Sequence, residues 1–134
     1  MCSDGRYRAA TDEFVARHLG IADYDIVAVP GGAYFISFAD ALPKQLKVGM
    51  RLLRFVIKSN ATRRVILVAH QDCGRYIEGF ASFLRRPGFS IEEKQRHDLA
   101  AASKDLDAAF PNLAISSYYA RQVQGTDQIE FGPA

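Results

Sequence analysis

The sequence predicts an α/β fold: a central, mostly parallel β-sheet flanked by helices. Three observations carry this reading. Two short continuous apolar runs, Ile26-Val27-Ala28-Val29 and Val65-Ile66-Leu67-Val68-Ala69, have the pattern of strands buried on both faces. Segments of helical periodicity alternate with them, the order that builds parallel sheets. The chain has 134 residues, enough for one domain with a real core and too few for two. No linker, internal repeat or low-complexity tract divides it, so residues 1–134 read as a single domain.

The elements follow in order. Thr11 is placed to cap a short helix, with Asp12 and Glu13 in its first turn and Gly20 at its end. The Ile26–Val29 strand is halted by Pro30-Gly31-Gly32. A helix over roughly 42 to 59 carries Leu46, Met50, Leu53 and Ile57 on one face and lysines and arginines opposite. The Val65–Ala69 strand ends directly at His70. Residues 77 to 84 are helical in pattern and stop at Pro87-Gly88. Ser90 and Glu93 form a capping box for the next long helix, whose stripe is Leu99, Ala102, Leu106 and Phe110 and whose stop is Pro111. Leu113 to Tyr119 is β-rich, Gln124 to Asp127 is a turn, and Gln128 to Phe131 pairs back as a last strand.

Composition narrows the class. Seventeen basic against fifteen acidic residues leave a net charge of +2, so no strongly charged partner is implied. The basic residues Arg63, Arg64, Arg85 and Arg86, and Lys44, Lys47, Arg51 and Arg54 on one helix, are scattered; they read as solvated faces rather than a nucleic-acid surface. No apolar run approaches the ~18 residues of a membrane span, and no signal peptide is expected. Two cysteines without a secretory signal read as a reduced, cytoplasmic protein.

Both cysteines fall inside short motifs, Cys2-Ser3-Asp4-Gly5-Arg6 and His70-Gln71-Asp72-Cys73-Gly74. Either motif alone is weak. Together they supply two thiolates and an imidazole, a soft ligand set that suits Zn²⁺ and leaves one position for water or a carboxylate. His70 stands at the carboxyl end of a strand, where ligands of open α/β sheets bind. Cys2, His70 and Cys73 are therefore the expected metal ligands.

In this order the motifs resemble those of the β-class carbonic anhydrases, which carry Cys-x-Asp-x-Arg and, later, His-x-x-Cys. The resemblance covers Cys2 to about Gly74, including the strand and glycine loop from Asp25 to Ala33, and extends loosely to Ser117–Gln128. It implies reversible hydration of CO₂ to bicarbonate by a zinc-bound hydroxide. Asp4 would orient that hydroxide, and Arg6 would hold Asp4 through a bidentate pair. In some members the Asp swings onto the zinc and closes the site. A homodimer is also implied.

The chain departs from the family in four places. Members carry a helical arm and a strand upstream of the first Cys, whereas here Cys2 is the second residue. The chain thus looks like a short or N-terminally truncated member, and absence of the central strand would open the core. The glutamine that many members carry upstream, near the substrate, is also missing. Pro30-Gly31-Gly32-Ala33 stands where many members have Asn-Ala-Gly, and Gly5 replaces a Ser or Ala.

Rival readings keep the same residues. A CS₂ or COS hydrolase could use the same ligands. A catalytically silent zinc-binding relative would have Asp4 as a permanent fourth ligand. Tyr34, Phe35 and Phe38 are candidates for an apolar wall, with plain core packing the stronger reading; Asp72 is expected to face solvent or cap a turn, and His18 and His97 read as surface residues. A Cys2–Cys73 disulfide is geometrically conceivable, and reducing conditions argue against it.

Overall fold

A computed structural model describes residues 1–37, 43–81 and 87–134, with only the backbone of residues 43–47. Position 42, Phe38, residues 82 to 84 of the expected helix, and Arg85 and Arg86 lie outside the described residues, as do the side chains of Lys44, Leu46 and Lys47.

The chain begins with a 3₁₀ turn, Gly5–Tyr7, that runs into α1 (Arg8–Glu13) and a π-helical turn, Phe14–His18. Then come α2 (Tyr34–Ser37), α3 (Pro43–Ser59), β1 (Arg64–His70), α4 (Gly74–Gly79), α5 (Ile91–Ala109), β2 (Ala114–Gln122) and β3 (Ile129–Pro133). Among the described residues no helix is long and apolar enough to cross a membrane.

The helical start differs from expectation. Thr11 is not its cap; the Asp4 carboxylate accepts the Arg6 N–H and opens the helical stretch seven positions earlier. Thr11 is buried inside α1, and its hydroxyl donates to the Tyr7 carbonyl at 2.7 Å, one turn back. Gly20 ends the stretch as expected, in the left-handed region at φ +66. α4 likewise starts three residues before position 77. The capping box at α5 forms as read: Ser90 Oγ accepts the Glu93 N–H at 3.3 Å.

The fold is mixed α/β, with a three-stranded sheet in the order β1-β2-β3. β1 pairs in parallel with β2, from Arg64↔Ala114 to His70↔Ala120, and β2 pairs antiparallel with β3. The sheet is thus mixed where the sequence predicts a mostly parallel one. The difference lies at Ile26–Val29, which forms no strand. Val29 makes one isolated parallel bridge with Cys2, donating to Met1 O and accepting from Ser3 N, both at 3.1 Å. Ile26, Val27 and Val29 are only half-buried, and Ala28 is exposed. Residues 1–3 are its sole pairing partner among the described residues, so the ladder ends after one bridge.

Side chains alternate across β1 as a strand requires. Leu67 and Ala69, with Val65, pack on Leu99, Ala102 and Leu106 of α5 and Ile36 of α2. Ile66 and Val68 face the other way, with Tyr7, Ala120, Ile129 and Phe131. Phe14 closes that layer, its ring stacked 4.3 Å from Phe131. In α3, Met50 and Leu53 join the core and Ile57 is buried, while Val48, Leu52 and Phe55 are exposed. A cavity of about 450 Å³ lies along β1, lined by Val15, Val27, Leu53, Val56, Ile66 and Val68 among others. The space opens between β1 and the Ile26–Val29 segment, beside Met1.

Candidate metal centre

Three segments meet at the carboxyl end of β1. His70 is the last residue of that strand, Cys73 follows it at the N-cap of α4, and Cys2 is held beside both by the bridge to Val29. The Pro30–Gly32 loop makes the close approach of Cys2 possible. Gly32 has φ +55, and a Cβ there would stand 2.9 Å from Cys2 N and 3.3 Å from Val68 O. Gly31, at φ +81, directs its N–H to Cys2 Sγ at 3.3 Å.

Cys2, His70 and Cys73 are all buried, and their donor atoms lie within 4.8 Å of one another, a group that could hold a metal ion. The two sulfurs are 3.8 Å apart, and both are free thiols. His70 Nδ1 lies 2.7 Å from the Gln71 carbonyl, which can only accept, so Nδ1 carries the proton. That leaves Nε2 with its lone pair free, and Nε2 is buried with no hydrogen-bond partner among the described residues. A buried orphan nitrogen on a ring grouped with two thiols fits a metal better than it fits an apolar core.

Electrostatics point the same way. The hydrogen bond from Cys73 is the main influence holding the Cys2 thiol down at about 4; His70 and the main-chain N–H groups of Asp4 and Gly31 add to it. The same sulfur–sulfur bond, with burial, pushes the Cys73 thiol up. One proton is thus shared by the pair, and a bound cation would displace it.

Asp4 and Arg6 stand outside this group of three. Arg6 Nη2 donates to Asp4 Oδ2 at 2.6 Å, and Nε donates to both carboxylate oxygens at 3.1 Å. These bonds hold the Asp4 carboxyl down at about 2. Arg6 also donates to the Asp72 carbonyl at 3.2 Å, tying the first motif to the second. The side chain of Asp72 is exposed, as expected, with φ +53 fitting the turn. His18 and His97 are exposed surface residues, as the sequence suggests.

Supporting contacts surround the ligands. Gln95, in α5 and 1 % exposed, donates from Nε2 to the His70 carbonyl at 3.0 Å. Tyr7 stacks against the His70 ring at 4.3 Å and donates to Gln71 O at 3.1 Å. Tyr34 and Tyr76 are buried with the two cysteines. Tyr34 therefore lies beside the thiols, whereas Phe35 lines the cavity along β1. Tyr76 donates to the buried carboxylate of Asp98 at 2.9 Å, and Lys94 pairs with the other oxygen. Gln95, Tyr76 and Asp98 escaped the sequence reading; the one signal for Gln95 and Asp98 is their place on the face of α5 that carries Leu99, Ala102 and Leu106.

No family model, curated protein or solved structure matches this chain.

Proposed function

We propose that Cys2, His70 and Cys73 hold Zn²⁺ and that the protein hydrates CO₂ reversibly to bicarbonate. The observation that carries this reading is a pair of buried sulfurs 3.8 Å apart, with a ring nitrogen of His70 within 4.8 Å of them and His70 Nε2 unpartnered among the described residues. Two sulfurs bound at ~2.3 Å to a tetrahedral zinc stand ~3.8 Å from one another, so the pair needs no rearrangement. When bound, zinc is a Lewis acid that lowers the pKa of a water to about 7 and so provides hydroxide for attack on CO₂.

The chain's own residues supply the rest. His70 presents Nε2 because its Nδ1 proton is fixed on Gln71 O. Cys2 contributes a thiolate at neutral pH, and Cys73 contributes one after giving up its proton. Asp4 is ionised and cannot take a proton at neutral pH, so it accepts a hydrogen bond from the reacting water and orients it. Arg6 fixes the carboxylate for that role. The engagement of Asp4 by Arg6 supports an open fourth position over a site closed by Asp4.

The test is stopped-flow CO₂ hydration on protein of known zinc content, between pH 6.5 and 9. One zinc per chain and a rate that rises through a pKa of ~7 to 8 are expected. Stoichiometric zinc without turnover would favour a silent metal site or another substrate. Protein that takes up no zinc would remove the reading altogether.

A further inference from the structure

Tyr7 closes the 3₁₀ turn that Asp4 caps, and it is buried. Its ring packs with Val68 and Ala120 on one face of the sheet. Phenylalanine would fill that place equally well, so the hydroxyl calls for an account of its own. It donates to the Gln71 carbonyl at 3.1 Å. The same oxygen receives the Nδ1 proton of His70 at 2.7 Å. A carbonyl oxygen has two lone pairs, and these two donors use both. Water is left no lone pair there, and the Gln71 peptide is anchored with its oxygen toward Nδ1.

The Tyr7 ring bears on His70 as well. The two ring centroids are 4.3 Å apart, with the planes tilted by 33°. The torsion that swings an imidazole about its Cβ–Cγ bond is soft, and a ring laid against it restricts the swing. On the other side of the account stands Arg6, whose guanidinium lies 5.8 Å over the Tyr7 ring. Arg6 and Tyr7 are adjacent in the chain, and they donate to the adjacent carbonyls of Asp72 and Gln71. The turn that bears Asp4 is thus pinned to the His70–Cys73 segment at two consecutive peptides.

We propose that Tyr7 is a positioning residue of the candidate metal centre: it fixes the tautomer and the ring plane of His70, so that Nε2 is presented, and it seats the Asp4 turn against the same segment. The inference deepens the zinc reading and rests on it for the ion that Nε2 would take. The hold of Tyr7 on His70 needs no ion.

The test has two readouts on the full chain. Long-range ¹⁵N–¹H NMR of the zinc-free protein at about pH 8.5, above the usual His range, reports the His70 tautomer. Competition with a chelator reports zinc affinity. The unaltered chain should show His70 in one form, protonated at Nδ1. Tyr7→Phe keeps the ring and removes the donor; the Nε2-protonated form should appear, and zinc should bind about tenfold more weakly. Tyr7→Leu removes the stack as well and should weaken zinc further. Phe14→Leu controls for packing, because Phe14 lies in the same layer against Phe131 and Tyr118. It should leave the His70 spectrum and the zinc affinity unchanged. A single Nδ1-protonated form with unchanged zinc affinity in Tyr7→Phe would overturn the proposal, as would equal losses in Tyr7→Phe and Phe14→Leu. An unaltered chain that takes up no zinc would overturn the zinc reading instead, and the His70 spectra of the same variants would still decide whether Tyr7 sets the ring.

Discussion

At the scale of single residues, the candidate metal centre rests on three side chains with separable contributions. Cys73 is the ligand that must give up a proton, and it is 1 % exposed. Cys73→Ser should abolish stoichiometric zinc uptake, read by metal analysis after dialysis; the alcohol is a hard donor and poorly matched to the site. Asp4→Ala should keep the metal and lower CO₂ hydration by about a hundredfold, the usual scale for removing one positioned hydrogen-bond group. Unchanged turnover in that variant would take Asp4 out of the mechanism. Arg6 acts on Asp4, and the effect has a pH signature. Because the Asp4 carboxyl is held at about 2, below its usual 3.8, its pairing stabilises the fold above pH 3.8 and is lost as pH falls through about 2. Arg6→Ala should remove about 1 kcal/mol at pH 7, allowing for solvent around the exposed guanidinium, and almost nothing at pH 1.5. Urea melts at the two pH values measure this, and equal losses at both would detach the pair from stability.

At the scale of elements, the loop that seats Cys2 is the most demanding piece of backbone. Gly32→Ala places a methyl 2.9 Å from Cys2 N at a φ that disfavours any Cβ. A loss of about 2 kcal/mol and a weakened metal site are expected, read by chemical denaturation and zinc titration. Full zinc affinity in that variant would show that the loop yields freely. Elements with self-contained signals were legible in the sequence: α5 declares its cap at Ser90, its stripe at Leu99, Ala102 and Leu106, and its stop at Pro111. β1 declares itself by an unbroken β-branched run. Two misreadings have physical causes. Thr11 competes with Asp4 for the same capping role, and Asp4 wins because its carboxylate reaches the Arg6 N–H at the first turn. Ile26–Val29 has strand composition, but a strand is made by its neighbour, and composition cannot announce that among the described residues it pairs with residues 1–3 alone. The metal group was legible because ligand chemistry leaves few alternatives for two cysteines and a His. Its supports, Gln95 and the Tyr76–Asp98 pair, were not, since polar residues on a helix ordinarily face solvent.

At the scale of the whole molecule, a metal held by Cys2, His70 and Cys73 would tie the start of the chain to the end of β1 and the start of α4. α5, β1 and β2 form one packed unit, and residues 1–3 join it through the bridge at Val29, the Met1 amine donating to Val27 O, the packing of Met1 on Tyr7, Val68 and Ala120, and the contacts around Cys2. A bound metal stabilises by its affinity for the folded form alone, about 4 kcal/mol at a thousandfold excess over Kd. Stripping it with a chelator should therefore lower the melting temperature by several degrees, measured by calorimetry on the same preparation before and after treatment. An unchanged melting temperature would mean that the three ligands are held in place without an ion.

The sequence separation of the two thiols, 71 positions, has a kinetic consequence. Bringing Cys2 to Cys73 closes a ring through most of the chain, and the entropy of that closure falls due only when the ring shuts. β1 and β2 can pair around α5 without it, so capture of an ion by this group would be a latch thrown after the rest of the chain has folded. The speed of metal uptake would then clock the docking of the first three residues, and a chain stalled before that moment would expose the floor of the sheet beside β1 to whatever else is in solution.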